Sequence, residues 1–322
     1  MMGLRPGPTA TSPLAPRIEA VVLDTRSPSS LHAAALGGQR PVRGQARLFL
    51  PDAPPCSAVV ICPGLAGPLP GREYGYAERI AAAGHAALVP HPYATRGVAW
   101  LSDPLRALCV GPAMMLADAF AALDVLNAHP AIGPGCAVTV MGFSYGAMTA
   151  LLAAHEQIAR VFAPDGARFA GHVGYYGPTV PRLDDPTATG APVLMLMGAH
   201  DRNLDIPRAG LIADDLRRGG APVDLRVLDA EHAWDGNDIE RRHVLFSLRD
   251  CAVMIDRDNR MRDERTGRPI RGGLGLALHL IRGSRLAGYH MHRNEGLARL
   301  SDALLFRFLE NAAPRGLPLA AE

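Results

Sequence analysis

Gly142-Phe143-Ser144-Tyr145-Gly146 has the form G-x-S-x-G, and its surroundings give the pentapeptide chemical meaning. An apolar, β-branched run at 137–141 leads straight into it, and an Ala-rich stretch at 147–155 leads out. That context predicts a serine on a sharp, strained strand-to-helix turn. Gly142, Gly146 and Ala147 supply the small residues needed where the backbone passes close to its neighbours. The outgoing helix points its N-terminus at the serine, which favours negative charge developing there. The alternative is a serine that only caps the helix.

A serine hydroxyl is a poor nucleophile without a base, and the base needs an orienting carboxylate. On a turn of this kind the acid and then the histidine follow the serine in chain order. A strand at 193–197 ends in Gly198-Ala199-His200-Asp201, and a strand at 224–228 is followed by Glu231-His232-Ala233-Trp234. Ser144, Asp201 and His232 are therefore the expected nucleophile, acid and base. His200 is a rival imidazole but shares the turn of the acid, Asp205 is a rival acid, and Asp235 is expected to face solvent. A tetrahedral oxyanion needs two backbone donors. Tyr145 N–H is expected to be one, and Leu65 N–H, in the Pro63-Gly64-Leu65-Ala66-Gly67 turn, the other.

These side chains need a scaffold. Short β-branched runs alternate with Ala- and Leu-rich amphipathic stretches, which predicts an α/β fold: a mainly parallel sheet flanked by helices on both faces. Strands are expected at 18–24, 47–50, 57–62, 86–89, 137–141, 172–176, 193–197 and 224–228. Helices are expected at 73–83, 112–128, 145–155 and 207–218. The terminal helix, 297–309, should carry Leu297, Leu300, Leu304 and Phe308 on one face. The segment 240–295 breaks the pattern and reads as an insertion before that helix, serving as a lid, a dimerisation element or decoration. Residues 1–17 read as a flexible tail and 18–322 as a single domain.

The chain has 322 residues, 48% of them hydrophobic, and a formal net charge of +2 from 33 basic and 31 acidic residues. That balance offers no field for nucleic acid or an anionic membrane. All the basic residues are arginine, so a lysine Schiff base is excluded. Five cysteines without paired spacing argue against a redox motif or a zinc site, and a reducing, cytoplasmic location is the expectation.

The series ICPGLAG, VMGFSYGA, MLMGAHDRN and DAEHAWD resembles the α/β-hydrolase superfamily, and within it the dienelactone hydrolase-like family. The resemblance covers roughly 20–235 plus the closing helix. It implies the α/β-hydrolase fold, hydrolysis of a small ester or lactone through an acyl-enzyme, a small-molecule partner, no metal and no organic cofactor; Ser144 is expected to attack an ester, lactone or thioester carbonyl. The name-giving enzymes use a cysteine nucleophile where this sequence has Ser144. They also carry a carboxylate beside the oxyanion-hole residue, where here Gly64 precedes Leu65. An acyltransferase with the same triad, a peptidase, or a non-catalytic ligand-binding protein on the same fold are the alternatives, and a homodimer is left open. Arg96, Trp100, Arg202 and Trp234 are candidate substrate-binding residues. Arg96 or Arg202 would hold a substrate carboxylate, or would form a surface ion pair.

Overall fold

The computed structural model describes residues 16–132, 135–236, 242–284 and 288–312. Most of the expected tail, 1–15, lies outside the described residues; Arg17 is already the first residue of a strand.

In chain order the first part runs β1 (Arg17–Arg26), α1 (Leu31–Leu36), β2 (Pro41–Leu50) and β3 (Ala58–Cys62). One π-helical turn, Pro70–Tyr74, then precedes α2 (Gly75–Ala82), β4 (Ala86–Pro90), α3 (Pro92–Thr95), α4 (Asp103–Cys109) and α5 (Pro112–Ala128). There follow β5 (Val138–Phe143), α6 (Tyr145–Leu152), α7 (Glu156–Phe162), β6 (Gly171–Tyr175) and β7 (Pro181–Leu183). The series closes with β8 (Val193–Gly198), α8 (Ile206–Arg218) and β9 (Val223–Leu228).

Eight of these strands form one sheet in the order β1-β2-β4-β3-β5-β6-β8-β9. β1 and β2 pair antiparallel, as do β2 and β4, and every later pair is parallel. The near-continuous apolar strands follow from burial on both faces. Along β3, Ala58, Val60 and Cys62 enter one core while Val59 and Ile61 enter the other. α5 packs its Leu116, Phe120 and Leu123 into the first core, and α2, α8 and α10 (Glu295–Ala312) pack Ile80, Leu216 and Leu305 into the second. This is the α/β-hydrolase architecture, with helices on both faces of a mainly parallel sheet.

The insertion before α10 is built of short pieces: β10 (Arg242–Val244), β11 (Val253–Ile255), β12 (Met261–Asp263), β13 (Pro269–Ile270), α9 (Gly272–Gly283) and β14 (Tyr289–Met291). β13, β12 and β11 extend from β7 as a second sheet, and β10 pairs with β14. Glu264 ties the insertion down by accepting from Arg182 at 2.9 Å and from Arg208 on α8.

Local detail departs from the sequence expectations where tertiary contacts decide. The helix expected at 73–83 begins as the π turn, because Glu73 is pulled inward to accept from Leu69 N–H. The helix expected at 145–155 ends at Leu152, and Glu156 starts a separate one. α10 buries Ser301, Leu305 and Leu309; of the expected stripe Leu297, Leu304 and Phe308 pack on the core partly buried, and Leu300 is exposed. The polar Ser301 faces the core because its Oγ accepts from Trp234 Nε1 at 3.3 Å and its carbonyl from Tyr175 Oη at 3.1 Å.

Candidate active site

β5 ends at Phe143 and α6 begins at Tyr145, leaving Ser144 alone at the corner with φ 51° and ψ −114°. That is positive-φ backbone on a residue with a Cβ, a conformation costing of order 1–3 kcal/mol that the surrounding structure must enforce. The enforcement is close packing. A Cβ added at Gly142 would meet Gly146 O at 2.2 Å, and one added at Gly146 would meet Cys62 O at 2.1 Å. Ser144 N–H donates to Tyr175 O at 2.9 Å, pinning the corner to β6.

The three side chains expected from the sequence meet here. His232 Nε2 lies 3.0 Å from Ser144 Oγ, and His232 Nδ1 lies 2.6 Å from Asp201 Oδ2. Asp201 Oδ1 accepts from Asn203 N–H at 2.9 Å, so both carboxylate oxygens are engaged. Asp201 and His232 are buried, and Ser144 is partly exposed. The charge arrangement fixes the imidazole tautomer: with Nδ1–H held by Asp201, Nε2 is the acceptor facing the hydroxyl. His200 pairs instead with Asp229 at the surface, and Asp205 precedes α8.

The turn after β3 stands against this corner. A Cβ at Gly64 would lie 3.7 Å from the Ser144 Cβ and 3.4 Å from Phe143 O. Among the described residues neither Leu65 N–H nor Tyr145 N–H has a protein acceptor, Tyr145 because it opens α6. Two features that the sequence reading missed hold the turn. Glu73, fully buried, accepts from Gly64 N–H at 3.2 Å and from Arg72 Nη2 at 2.7 Å. Arg106 Nη1 donates to Leu65 O at 3.1 Å and to Ala66 O at 2.8 Å. The spacing of Arg72-Glu73 on an ordinary helix start carries no signal of burial, so the sequence alone could not have singled them out.

Further residues shape the base. Tyr176, at φ 43°, places its ring 4.6 Å from the His232 imidazole, and its hydroxyl donates to Asp235. Tyr289 of β14 packs edge-on against the same imidazole at 4.8 Å. The insertion also grips the histidine loop through the backbone: His232 N–H donates to His290 O, and His292 N–H to His232 O. Asp235 corrects the sequence expectation, since it is buried rather than facing solvent. Burial pushes its carboxyl above the usual range, with the Tyr176 hydroxyl pulling the other way.

The proposed pocket walls fare differently. The Arg96 side chain is largely covered, with both guanidinium arms on Asp118 (2.7 and 3.0 Å) and further bonds to Pro92 O and Arg26 O. It is a structural cation, because a buried charge must be paired and Asp118 is the partner. Trp234 is wholly inside the core, stacked on Tyr175 and edge-on to Tyr176, and so is not a pocket wall. Trp100 is 82% exposed with its indole N–H folded back on Gly97 O, and Arg202 is exposed. Among the described residues neither is bonded to the triad.

Residues 45–244 match the model of the dienelactone hydrolase family. No curated protein matches the chain. Among solved structures, a candidate dienelactone hydrolase from Klebsiella pneumoniae subsp. pneumoniae is 22% identical with a TM-score of 0.50, over 68% of this chain and 89% of that one. The dienelactone hydrolase of Anabaena variabilis gives 22% and 0.49, over 68% and 88%. Esterase 2 of Thermogutta terrifontis gives 16% and 0.47, over 61% and 82%. With 200 of its 322 residues inside the family model, the chain belongs to the dienelactone hydrolase family and is a hydrolase.

Proposed function

We propose that the protein cleaves small carboxylic esters, lactones or thioesters through an acyl intermediate on Ser144. The observation that carries this reading is the unbroken relay from Ser144 Oγ through His232 to Asp201, at 3.0 and 2.6 Å.

In the first half-reaction His232 Nε2 takes the Ser144 proton as Oγ attacks the substrate carbonyl. The N–H groups of Leu65 and Tyr145 stabilise the oxyanion. Collapse breaks the bond to the leaving oxygen or sulfur, which receives the proton from His232. In the second half-reaction water gives a proton to His232 and attacks the acyl-serine. The carboxylic acid leaves and Ser144 regains its hydrogen. Asp201 holds the tautomer and stabilises the imidazolium in both halves.

A fluorophosphonate probe tests the reading directly. The wild type is expected to label and to hydrolyse p-nitrophenyl acetate. Ser144→Ala is expected to lose labelling, with turnover falling by about 10⁶. Wild-type labelling and turnover in Ser144→Ala would overturn it.

A further inference from the structure

On the face of the sheet that carries α5 and α6, the protein holds a cavity of about 260 Å³. α6 lines it with Tyr145, Met148 and Leu152, one stripe at helical spacing, and α9 closes it with Leu276, Ala277 and Leu280. No lining residue is charged. The Tyr145 hydroxyl donates to Val110 O at 3.0 Å, so even that polar tip is already engaged. Apart from Ser29 and Ser30 at one end the walls are apolar, so they favour an apolar occupant over ordered water. An apolar cavity of about 150 Å³ takes a six-carbon benzene ring, so this one has room for roughly ten carbon atoms.

Two elements that line the cavity also reach the proposed oxyanion donors. Tyr145 is the residue after Ser144; its amide is one proposed oxyanion donor and its side chain is cavity wall. α4 contributes Ala107 and Leu108 to the cavity, and Arg106, one residue earlier, is bonded to Leu65 O and Ala66 O. Ser144 is thus followed in the chain by a residue of the cavity wall, and the turn that bears Leu65 is bonded to the helix that supplies another part of that wall. The roof belongs to the insertion. Leu276 and Leu280 pack on the core yet no residue of α9 is fully buried, so an apolar occupant would complete their removal from water. Met148 and Met261 in the walls are unbranched and adaptable, suited to a chain of variable conformation.

We propose that this cavity receives the acyl chain of the substrate, so that the protein prefers esters of straight-chain carboxylic acids of about six to ten carbons. The proposal rests on the acyl-Ser144 reading and adds the substrate class. α9 is the element of the insertion that sets the chain length.

The test is kcat/KM of the full chain on p-nitrophenyl esters from acetate to palmitate. Each added methylene is expected to raise kcat/KM about two- to fourfold up to eight to ten carbons, and longer chains to fall away. Ala277→Phe should lower the octanoate-to-acetate ratio at least about tenfold, as the added ring occupies space the chain would take. Leu280→Ala should move the optimum to longer chains by about two carbons. Leu278→Ser, on the exposed side of α9, should leave the profile in place. If Ala277→Phe does not fold, the Leu280→Ala shift still decides. A wild type that cleaves acetate with a flat profile overturns the cavity assignment alone, as does an unchanged optimum in both cavity variants. So does a length dependence seen only in alkyl acetates, where the chain is on the alcohol. A wild type that cleaves no ester, acetate included, overturns the serine-hydrolase reading as well.

Discussion

The phenol of Tyr176 donates to Asp235 Oδ1 at 2.6 Å beneath the active site, and Asp235 Oδ2 has no partner among the described residues. The ring that makes this bond is the ring that packs on His232. A buried, half-satisfied carboxyl therefore fixes the side chain that backs the proposed base. Because burial raises its pKa in the fold, the folded protein holds this proton more tightly than the unfolded chain does. The stabilisation is complete below the carboxyl's unfolded pKa and is lost as pH rises through the raised folded value. Asp235→Asn keeps the acceptor for Tyr176 and removes the ionisation. Its stability relative to wild type should increase with pH across that window, measured by urea unfolding at a series of pH values. A constant difference would mean that Asp235 does not ionise differently in the two states.

Asp201 holds His232 by a carboxylate oxygen, and an amide in that place presents either the wrong group or the wrong tautomer. Asp201→Asn should fold normally, since Asn203 N–H can still be met by the amide oxygen. Its kcat on an acetyl ester should fall about 10⁴-fold with KM little changed. A fall of less than tenfold would point to a different acid.

Glu73 links the buried Arg72 to the Gly64 turn. Removing it strands a buried guanidinium, which costs about 3–5 kcal/mol. It also frees the backbone that is proposed to carry the Leu65 donor. Glu73→Ala should lower stability by that amount. In the fraction that folds, kcat should fall more than KM rises, because the loss is of oxyanion stabilisation. Chemical denaturation and steady-state kinetics on the same preparation separate the two effects.

The sequence carried the parts of the site that have a local signature. Strand, Gly-x-Ser-x-Gly and helix are contiguous, and the turns bearing Asp201 and His232 each follow a recognisable apolar strand. Even the elbow strain was legible, because Gly142 and Gly146 stand where a Cβ would strike backbone. What stayed hidden was burial of polar groups far from their partners in sequence. Arg96 reads as a surface cation until Asp118, on the next long helix, is known to meet it. Asp235 reads as a loop acid until Tyr176, 59 residues away, is seen to donate to it. α9 was hidden for a different reason: four glycines in twelve residues weaken its helical signal, and it is held by packing on the core rather than by propensity.

Acid stability offers a check on the core independent of catalysis. His155 and His172 are both buried, and burial lowers each imidazole from about 6.5 to about 4. His172 Nδ1–H donates to Ala150 O at 3.0 Å, while its Nε2 has no partner among the described residues to share a second proton. Below pH 6.5 the unfolded chain takes up these protons first, so stability should fall as pH drops from about 6.5 towards 4 and stop falling on their account below that. Each histidine contributes a slope of up to about 1.4 kcal/mol per pH unit in that window. His172→Gln has no proton to gain, so it should reduce the slope by about that much while starting from lower stability at pH 7. Denaturation midpoints of the two proteins should therefore converge as the solution is acidified. Parallel curves between pH 6.5 and 4 would show that His172 is not held neutral in the fold.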